Sequence, residues 1–404
     1  MKQLKGLLLA LLCAAAQTLA APVPTAPSLT VGDAQRIAIP PCTGVANNVW
    51  QINDSIWPLV TLNDGSGVMT MLGDAQPFRY TGPDIFHLNC VGTKQTFNVN
   101  GESKTFTVGQ TVLASDGVTP QSPYPPNRYN SAGTWVQAGG YAPDGSTLVM
   151  LTHNEVHTFS QATAGVICTG SNGSKYMTTT NQGQWNSSGL WTSTDNGKTW
   201  IDQGQIAGIR IPPGPPTTNC GIGGAGMSVI VWDPVHSRWL GYGGQTPYVS
   251  YATIPVAGTW YGLDPADGTL TNFTVPILPD MPSKPALGVA SGLSSAVSAS
   301  GLIYNTYLKM FVMVYQSSGA NSSVSLRFSY DGVNWSPYTA STIVYTAPFK
   351  PGSTTSRYWL TYRGIVGSGS SMTCGQDCYL TFMSGSPTQS GNYVDFMVVP
   401  IHFN

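Results

Sequence analysis

The chain has 404 residues, enough for a sizeable core, and 41% of them are hydrophobic while only 9% are charged. Its net charge is −1, and removal of Lys2 and Lys5 with a leader takes it to −3 (−1 − 2), which excludes nucleic acid and anionic membranes as natural partners. With 46 glycines and 30 prolines beside that apolar fraction, the composition excludes extensive disorder and indicates a turn-rich, all-β protein.

Lys2 and Lys5, the apolar run Leu7 to Ala16 and the small residues near Ala20 have the layout of a secretory signal peptide. Residues 1–20 are therefore set aside, residues 21–404 are read as a single β-propeller domain, and the mature protein is expected to be extracellular, with no later stretch apolar enough to span a bilayer. Cys13 falls in the leader. Cys42, Cys90, Cys168, Cys220, Cys374 and Cys378 remain, an even set suited to an oxidising compartment. Six cysteines allow about fifteen pairings, and nearest-neighbour pairing joins Cys42 to Cys90, Cys168 to Cys220 and Cys374 to Cys378. Sequons stand at Asn53, Asn172, Asn186, Asn272, Asn321 and Asn334.

After the leader there is no sustained helical periodicity, whereas short β-branched and aromatic runs alternate with Gly, Asn, Asp and Pro. Asp54 lies in the segment Ile52 to Trp57. A first turn-then-strand unit follows, Asn63-Asp64-Gly65 before Val68 to Leu72, and leads directly to Asp74 and then to Arg79 in Pro77-Phe78-Arg79-Tyr80. A second unit, Pro143-Asp144-Gly145 before Thr147 to Leu151, runs on into Thr152-His153-Asn154-Glu155-Val156-His157. Glutamate is scarce, Glu102 and Glu155 being the two in the chain, and strand alternation places His153, Glu155 and His157 on one side. A carboxyl flanked by imidazoles suits a cleft in which its protonation is tuned. A metal site is the weaker reading, because this is not the helical His-Glu-x-x-His spacing and no further His lies nearby; no cofactor is expected.

Next comes Ser193-Thr-Asp195-Asn-Gly197-Lys-Thr-Trp200, in which Asp195 can accept N–H groups of its own turn, Gly197 can take a positive φ and Trp200 can tuck beneath the hairpin. A shortened copy stands at Ser329-Tyr-Asp331-Gly332-Val-Asn-Trp335. The third unit is Asp233-Pro234 before Arg238 to Leu240, and the fourth is Tyr304-Asn305 before Lys309 to Val314. Unit starts at Asp64, Asp144, Asp233 and Asn305 are 80, 89 and 72 residues apart, and a fifth unit fits between Tyr358 and Val399. Asp195 and Asp331 are 136 residues apart (331 − 195), which with one intervening blade gives 68 per blade.

The octapeptide ending at Trp200 matches the Asp box of sialidase-like β-propellers, and the spacing fits five blades of four-stranded antiparallel sheet. A strand near Arg36 to Ile39 is expected to pair with Phe396 to Val399 and close the ring; the alternative is a β-sandwich with long loops. With the Leu-Gly-Asp74 and His153-Asn154-Glu155 segments, the chain resembles the five-bladed propeller glycoside hydrolases, a group that includes arabinan- and xylan-cleaving enzymes. That resemblance implies Asp54 or Asp74 as base or nucleophile and Glu155 as acid, with Arg79, His153 and His157 contacting the sugar. A sialidase set cannot be assembled from two glutamates, so neutral or weakly charged glycans are the expected substrates and a monomer the expected state. Trp57, Tyr80, Trp135, Trp185, Tyr242, Trp260 and Trp359 are candidates for sugar stacking, most of them expected in the core. A carbohydrate-binding propeller without catalysis is the first alternative, disfavoured because Asp74 and Glu155 have no counterparts in later blades. A polysaccharide lyase using His153, His157 and Arg79 is the second.

Overall fold

The structure is a computed structural model and describes residues 22–37, 39–40, 56–72, 78–91, 93–99, 102–108, 111–113, 116–118, 133–157, 167–169, 175–177, 184–208, 223–224, 226–281, 283–293, 299–315, 322–337, 339, 342–385 and 394–404. Five antiparallel sheets form a five-bladed β-propeller. From the inside outward, blade 1 comprises Leu59–Thr61, Val68–Leu72, Phe78–Gly82 and Asn89–Cys90. Blade 2 comprises Gly133–Tyr141, Leu148–His157, Gln184–Ser193 and Thr199–Ala207, with Thr111–Leu113 added in parallel outside. Blade 3 is Val229–Asp233, Arg238–Gly243, Thr246–Ser250, Trp260–Leu263 and Phe273–Ile277, and blade 4 is Ala299–Asn305, Met310–Tyr315, Ser323–Ser329 and Ile343–Thr346. Blade 5 is Leu360–Val366, Asp377–Gly385 and Val394–Phe403, completed by Leu29–Val31 and Gln35–Ile37 from the other end of the chain.

The closure has the expected register: Arg36 lies opposite Met397 and Ile37 opposite Phe396. All four turn-then-strand units read from the sequence are the inner hairpins of blades 1 to 4, and blade 3 alone separates the turns of Asp195 and Asp331. The expectation of four strands per blade is exceeded in blades 2, 3 and 4, where Thr111–Leu113, Phe273–Ile277 and, inside Ala299–Asn305, the parallel strand Thr373–Cys374 extend the sheet.

Apolar layers between the blades hold the ring together. In Met310–Tyr315, Phe311 and Met313 pack toward blade 3 while Val312 and Val314 pack toward blade 5. Both faces of the sheet are buried, which is why such strands read as unbroken apolar runs rather than as an alternation. Blades 1 and 2 meet through Met69, Met71, Leu148, Met150 and Trp200, and blades 5 and 1 through Trp57, Leu59, Phe78, Val366 and Val398.

At the end of the ring where the inner hairpins turn, the segment after Val366 crosses the axis. Ser371 donates its backbone N–H to Leu59 O (2.7 Å) and its hydroxyl to Gly139 O (2.6 Å), Thr61 donates to Gly369 O (2.6 Å), and Tyr304 donates to Met372 O (2.9 Å). Blade 5 thereby holds blades 1, 2 and 4 at once and stops that end of the axis. Cys374 and Cys378, joined by a disulfide, anchor the segment's far side. Cys90 is also disulfide-bonded. Cys42 and Cys220 lie outside the described residues, as does the side chain of Cys168.

Candidate active site

The opposite end is where the innermost strands begin, and most of the segments that lead into them lie outside the described residues. Strand Leu148–His157 runs toward that end and changes character on the way. Val149 and Leu151 pack into the layer shared with blade 3, and the next two side chains on that face are His153 and Glu155. His153 Nε2 lies 3.0 Å from Glu155 Oε1, with the two side chains 25% and 13% exposed. The indole of Trp135, across the ladder, meets the His153 ring edge-on at 5.6 Å, and Gly133, without a side chain, lies opposite Glu155. The carboxyl is thus half-withdrawn from water and braced by an imidazole.

On the other face of the same strand, Asn154 is buried at 1% exposure; its amide donates to Thr152 Oγ1 (3.1 Å) and its oxygen accepts from Thr134 Oγ1 (3.0 Å). This closed triplet fixes the strand end that carries Glu155. Ser188, across the ladder from His153, accepts from Met227 N (2.6 Å) and donates to Met227 O (3.0 Å), pinning blade 2 to blade 3 beside the pair. A polar network with every member satisfied holds a site rigid.

Of the other residues expected here, Asp54 and Asp74 lie outside the described residues, as do Asn53, Asn172 and Asn321, and His157 is described in its backbone alone. Arg79 requires a correction. It is 7% exposed, and its Nη2 donates to Asn196 O (3.2 Å) in the turn of the neighbouring blade, where burial pulls the guanidinium below its usual range against the upward pull of Asp195 and Asp64. Arg79 is therefore a clamp between blades 1 and 2 and is not grouped with Glu155. Asn334 also departs from its expected role as a glycan acceptor: it is 6% exposed, and its amide nitrogen donates to Asp331 Oδ2 (2.7 Å). Asn272 is exposed and Asn186 half-buried.

Among the candidate stacking aromatics, Trp57, Tyr80, Trp135, Tyr242 and Trp260 are buried, and Trp359 is 39% exposed. Blade 5 adds a feature that the sequence reading did not single out. A bulge interrupts Leu360–Val366, with Tyr362 at φ 46° and Arg363 beside it 1% exposed, its guanidinium pulled down to about 10 by burial. A left-handed tyrosine on an innermost strand is uncommon, and bulges of this kind re-aim side chains near functional sites. The sequence offered one sign of it, an arginine inside the otherwise uncharged run from Trp359 to Val366. Among the described residues no cluster of three His, Cys, Asp or Glu is arranged to hold a metal.

No family model matches the chain, and no curated protein does. Solved structures are similar to it at low identity. A protein of unknown function from Dyadobacter fermentans is 13% identical with a TM-score of 0.40, covering 94% of this chain and 100% of its own. An exo-β-1,3-galactanase from Phanerochaete chrysosporium is 12% identical with a TM-score of 0.40, covering 92% of this chain and 64% of its own. A xylan β-1,4-xylosidase from Bacillus halodurans is 11% identical with a TM-score of 0.39, covering 87% and 53%. The chain thus spans less than two thirds of the length of the last two. By its own strand order the protein is a five-bladed β-propeller, with the His153–Glu155 pair at the end where its innermost strands begin.

Proposed function

We propose that the protein is a secreted glycoside hydrolase in which Glu155 protonates the departing glycosidic oxygen. The observation that carries this reading is the His153–Glu155 pair at 3.0 Å, half-buried at the end where the innermost strands begin. Hydrolysis of a glycosidic bond needs a protonated carboxyl on the leaving oxygen and an ionised one that activates water or attacks the anomeric carbon. In this reading Glu155 gives its proton as the bond to the leaving sugar breaks, and His153 holds the carboxyl in one rotamer and shares the proton that restores it. Asp54 or Asp74 is the ionised partner: the first precedes the innermost strand of blade 1, and the second follows Val68–Leu72, a strand that runs toward the same end as Leu148–His157 does. General acid catalysis contributes about 10²–10⁴ in rate.

The test is release of reducing ends from a panel of plant, fungal and algal wall polysaccharides by the wild type and by Glu155→Gln, Asp54→Asn and Asp74→Asn. Loss of an acid hurts most when the leaving group is poor. Glu155→Gln is therefore expected to lose about 10²–10⁴ in kcat on polysaccharide but to retain most activity on an aryl glycoside whose phenol leaves unaided. Equal loss on both substrates would remove Glu155 from the acid role, and full activity of Glu155→Gln on polysaccharide would overturn the proposal.

A further inference from the structure

Charge in this chain is sparse but unevenly placed. Between Asp331 and Asp377 there is no acidic residue, while Lys350, Arg357 and Arg363 all fall within that stretch. Its middle is a hairpin joining blade 4 to blade 5. Phe349 bridges to Arg357, Lys350 N–H donates to Ser356 O (2.8 Å), and Tyr358 N–H donates to Pro348 O (3.1 Å). Ser353 Oγ accepts from the N–H groups of Thr355 (3.2 Å) and Ser356 (2.7 Å), and Gly352, at φ 74°, makes the turn. The hairpin is held by its own backbone and needs no covering partner.

Its two faces differ. Tyr358, 8% exposed, and Leu360, 3% exposed, pack into the layer between blades 4 and 5. The alternate positions face out: Phe349 is 43% exposed and Trp359 39%. The Arg357 guanidinium lies 3.7 Å over the Phe349 ring and donates through Nη1 to Ala347 O (2.6 Å), so its fork is fixed in place with its other donors unspent on that contact. Trp359 follows two residues along, about 7 Å away in extended backbone. Lys350 is exposed beside them, and among the described residues neither Lys350 nor Arg357 is paired with a carboxylate. Trp359 opens directly into the innermost strand of blade 5, at the same end of the ring as Glu155.

We propose that Phe349, Lys350, Arg357 and Trp359 form a binding rim for an anionic polysaccharide, in which Trp359 stacks on the apolar face of a sugar ring while Arg357 and Lys350 pair with carboxylate or sulfate groups along the chain. A large aromatic left in water beside two uncompensated cations matches a ligand with an apolar face and negative substituents. A neutral glycan would use the tryptophan and leave the cations idle. The proposal rests on the reading of the protein as acting on glycans and replaces the neutral substrates expected from sequence with acidic ones.

The experiment is affinity electrophoresis in gels containing polygalacturonate, carrageenan or arabinan, with wild type, Trp359→Ala, Trp359→Phe, Lys350→Gln/Arg357→Gln and Glu155→Gln, each checked for an unchanged melting transition. Wild type is expected to be retarded by one or both acidic polymers, the two gels separating carboxylate from sulfate recognition. Trp359→Ala should weaken that retardation at least tenfold, Trp359→Phe should recover much of it, and the double cation variant should lose it along with its salt dependence. Glu155→Gln should bind as wild type does. No retardation by either acidic polymer, or retardation that the cation variant keeps, overturns the rim. Polysaccharide turnover unchanged in Trp359→Ala would sink the rim and spare the hydrolase reading; Trp359-dependent binding without turnover would do the reverse.

Discussion

The acids of the turns, at both ends of the ring, and the acid on strand Leu148–His157 make different contacts: at the end where the innermost strands begin, Asp264 accepts from Ala266 N (2.8 Å) and Asp267 from Thr269 N (2.9 Å). At the hairpin end every aspartate of the inner and outer turns is consumed locally: Asp144 accepts from Ser146 N and Thr147 N, Asp195 from Lys198 N and Thr199 N, and Asp331 from Val333 N and Asn334 N, all at 2.8–3.1 Å. Asp233 goes furthest, being 0% exposed and accepting from His236 Nδ1 (2.7 Å), Arg238 Nε (3.0 Å) and two backbone N–H groups. Glu155 lies on a strand instead, 3.0 Å from the His153 ring and with 13% of its side chain exposed. An imidazole partner alone does not set it apart, since Asp84, Asp233 and Asp377 each have one. Acid count therefore says little about chemistry in this chain, whereas the element that carries each acid says much.

The largest test of this contrast is Asp233→Ala, which leaves the Arg238 guanidinium buried without its counter-ion. It is expected to cost about 3–5 kcal/mol in denaturant unfolding, in line with breaking a buried pair; a cost below about 1 kcal/mol, the surface range, would show that this end is not held as described. Asp195→Ala removes an exposed turn cap and should cost about 1–2 kcal/mol. Its effect should shrink in an Arg79→Met background, because Arg79 clamps the same turn, and strict additivity of the two would dissolve the clamp.

Acid should act on the turn aspartates of both ends, Asp267 being held at about 2 by its hydrogen bond with Thr269. Asp64, hydrogen-bonded by Ser66, is held at about 2, and Asp195 lies below its usual range because N–H groups of Thr199 and Lys198 outweigh the upward push of burial. Folded values depressed below the unfolded one of about 3.9 contribute stability that is complete above that value and is lost as pH falls through the folded values. A melting transition measured in steps from pH 7 should therefore hold nearly level and then fall between about pH 4 and the folded value of about 2. A fall beginning near pH 6 would implicate histidines instead. The smallest stability effect belongs to Glu155→Gln, expected within about 0.5 kcal/mol of wild type. A large loss there would make Glu155 one more scaffold acid.

What could be read from the sequence divides along the same line. The turns at Asp64, Asp144, Asp233 and Asn305 were legible because their hydrogen bonds close within a few residues, so composition alone encodes them. The mate of strand 35–37 was legible because a ring must hide its edges. Arg79 was not: its acceptor, Asn196 O, is 117 residues away, and no local pattern records that contact. Nor could sequence show that Trp359 stays in water while Trp260 does not, since it is blade packing that buries one and leaves the other 39% exposed.

The closure of the ring also has a consequence for biosynthesis. The outermost strands of blade 5, Leu29–Val31 and Gln35–Ile37, are made before blade 1, yet their mate, Val394–Phe403, is made only after blade 4. The stop across the axis likewise joins Thr61 to Gly369, 308 residues later. Neither contact can form until blade 5 has emerged, so until then the apolar side of blade 1 at Trp57, Leu59 and Phe78 has no blade 5 to cover it. The nascent protein is an open fan with one sticky edge, and it becomes a ring only once Val394–Phe403 has been made.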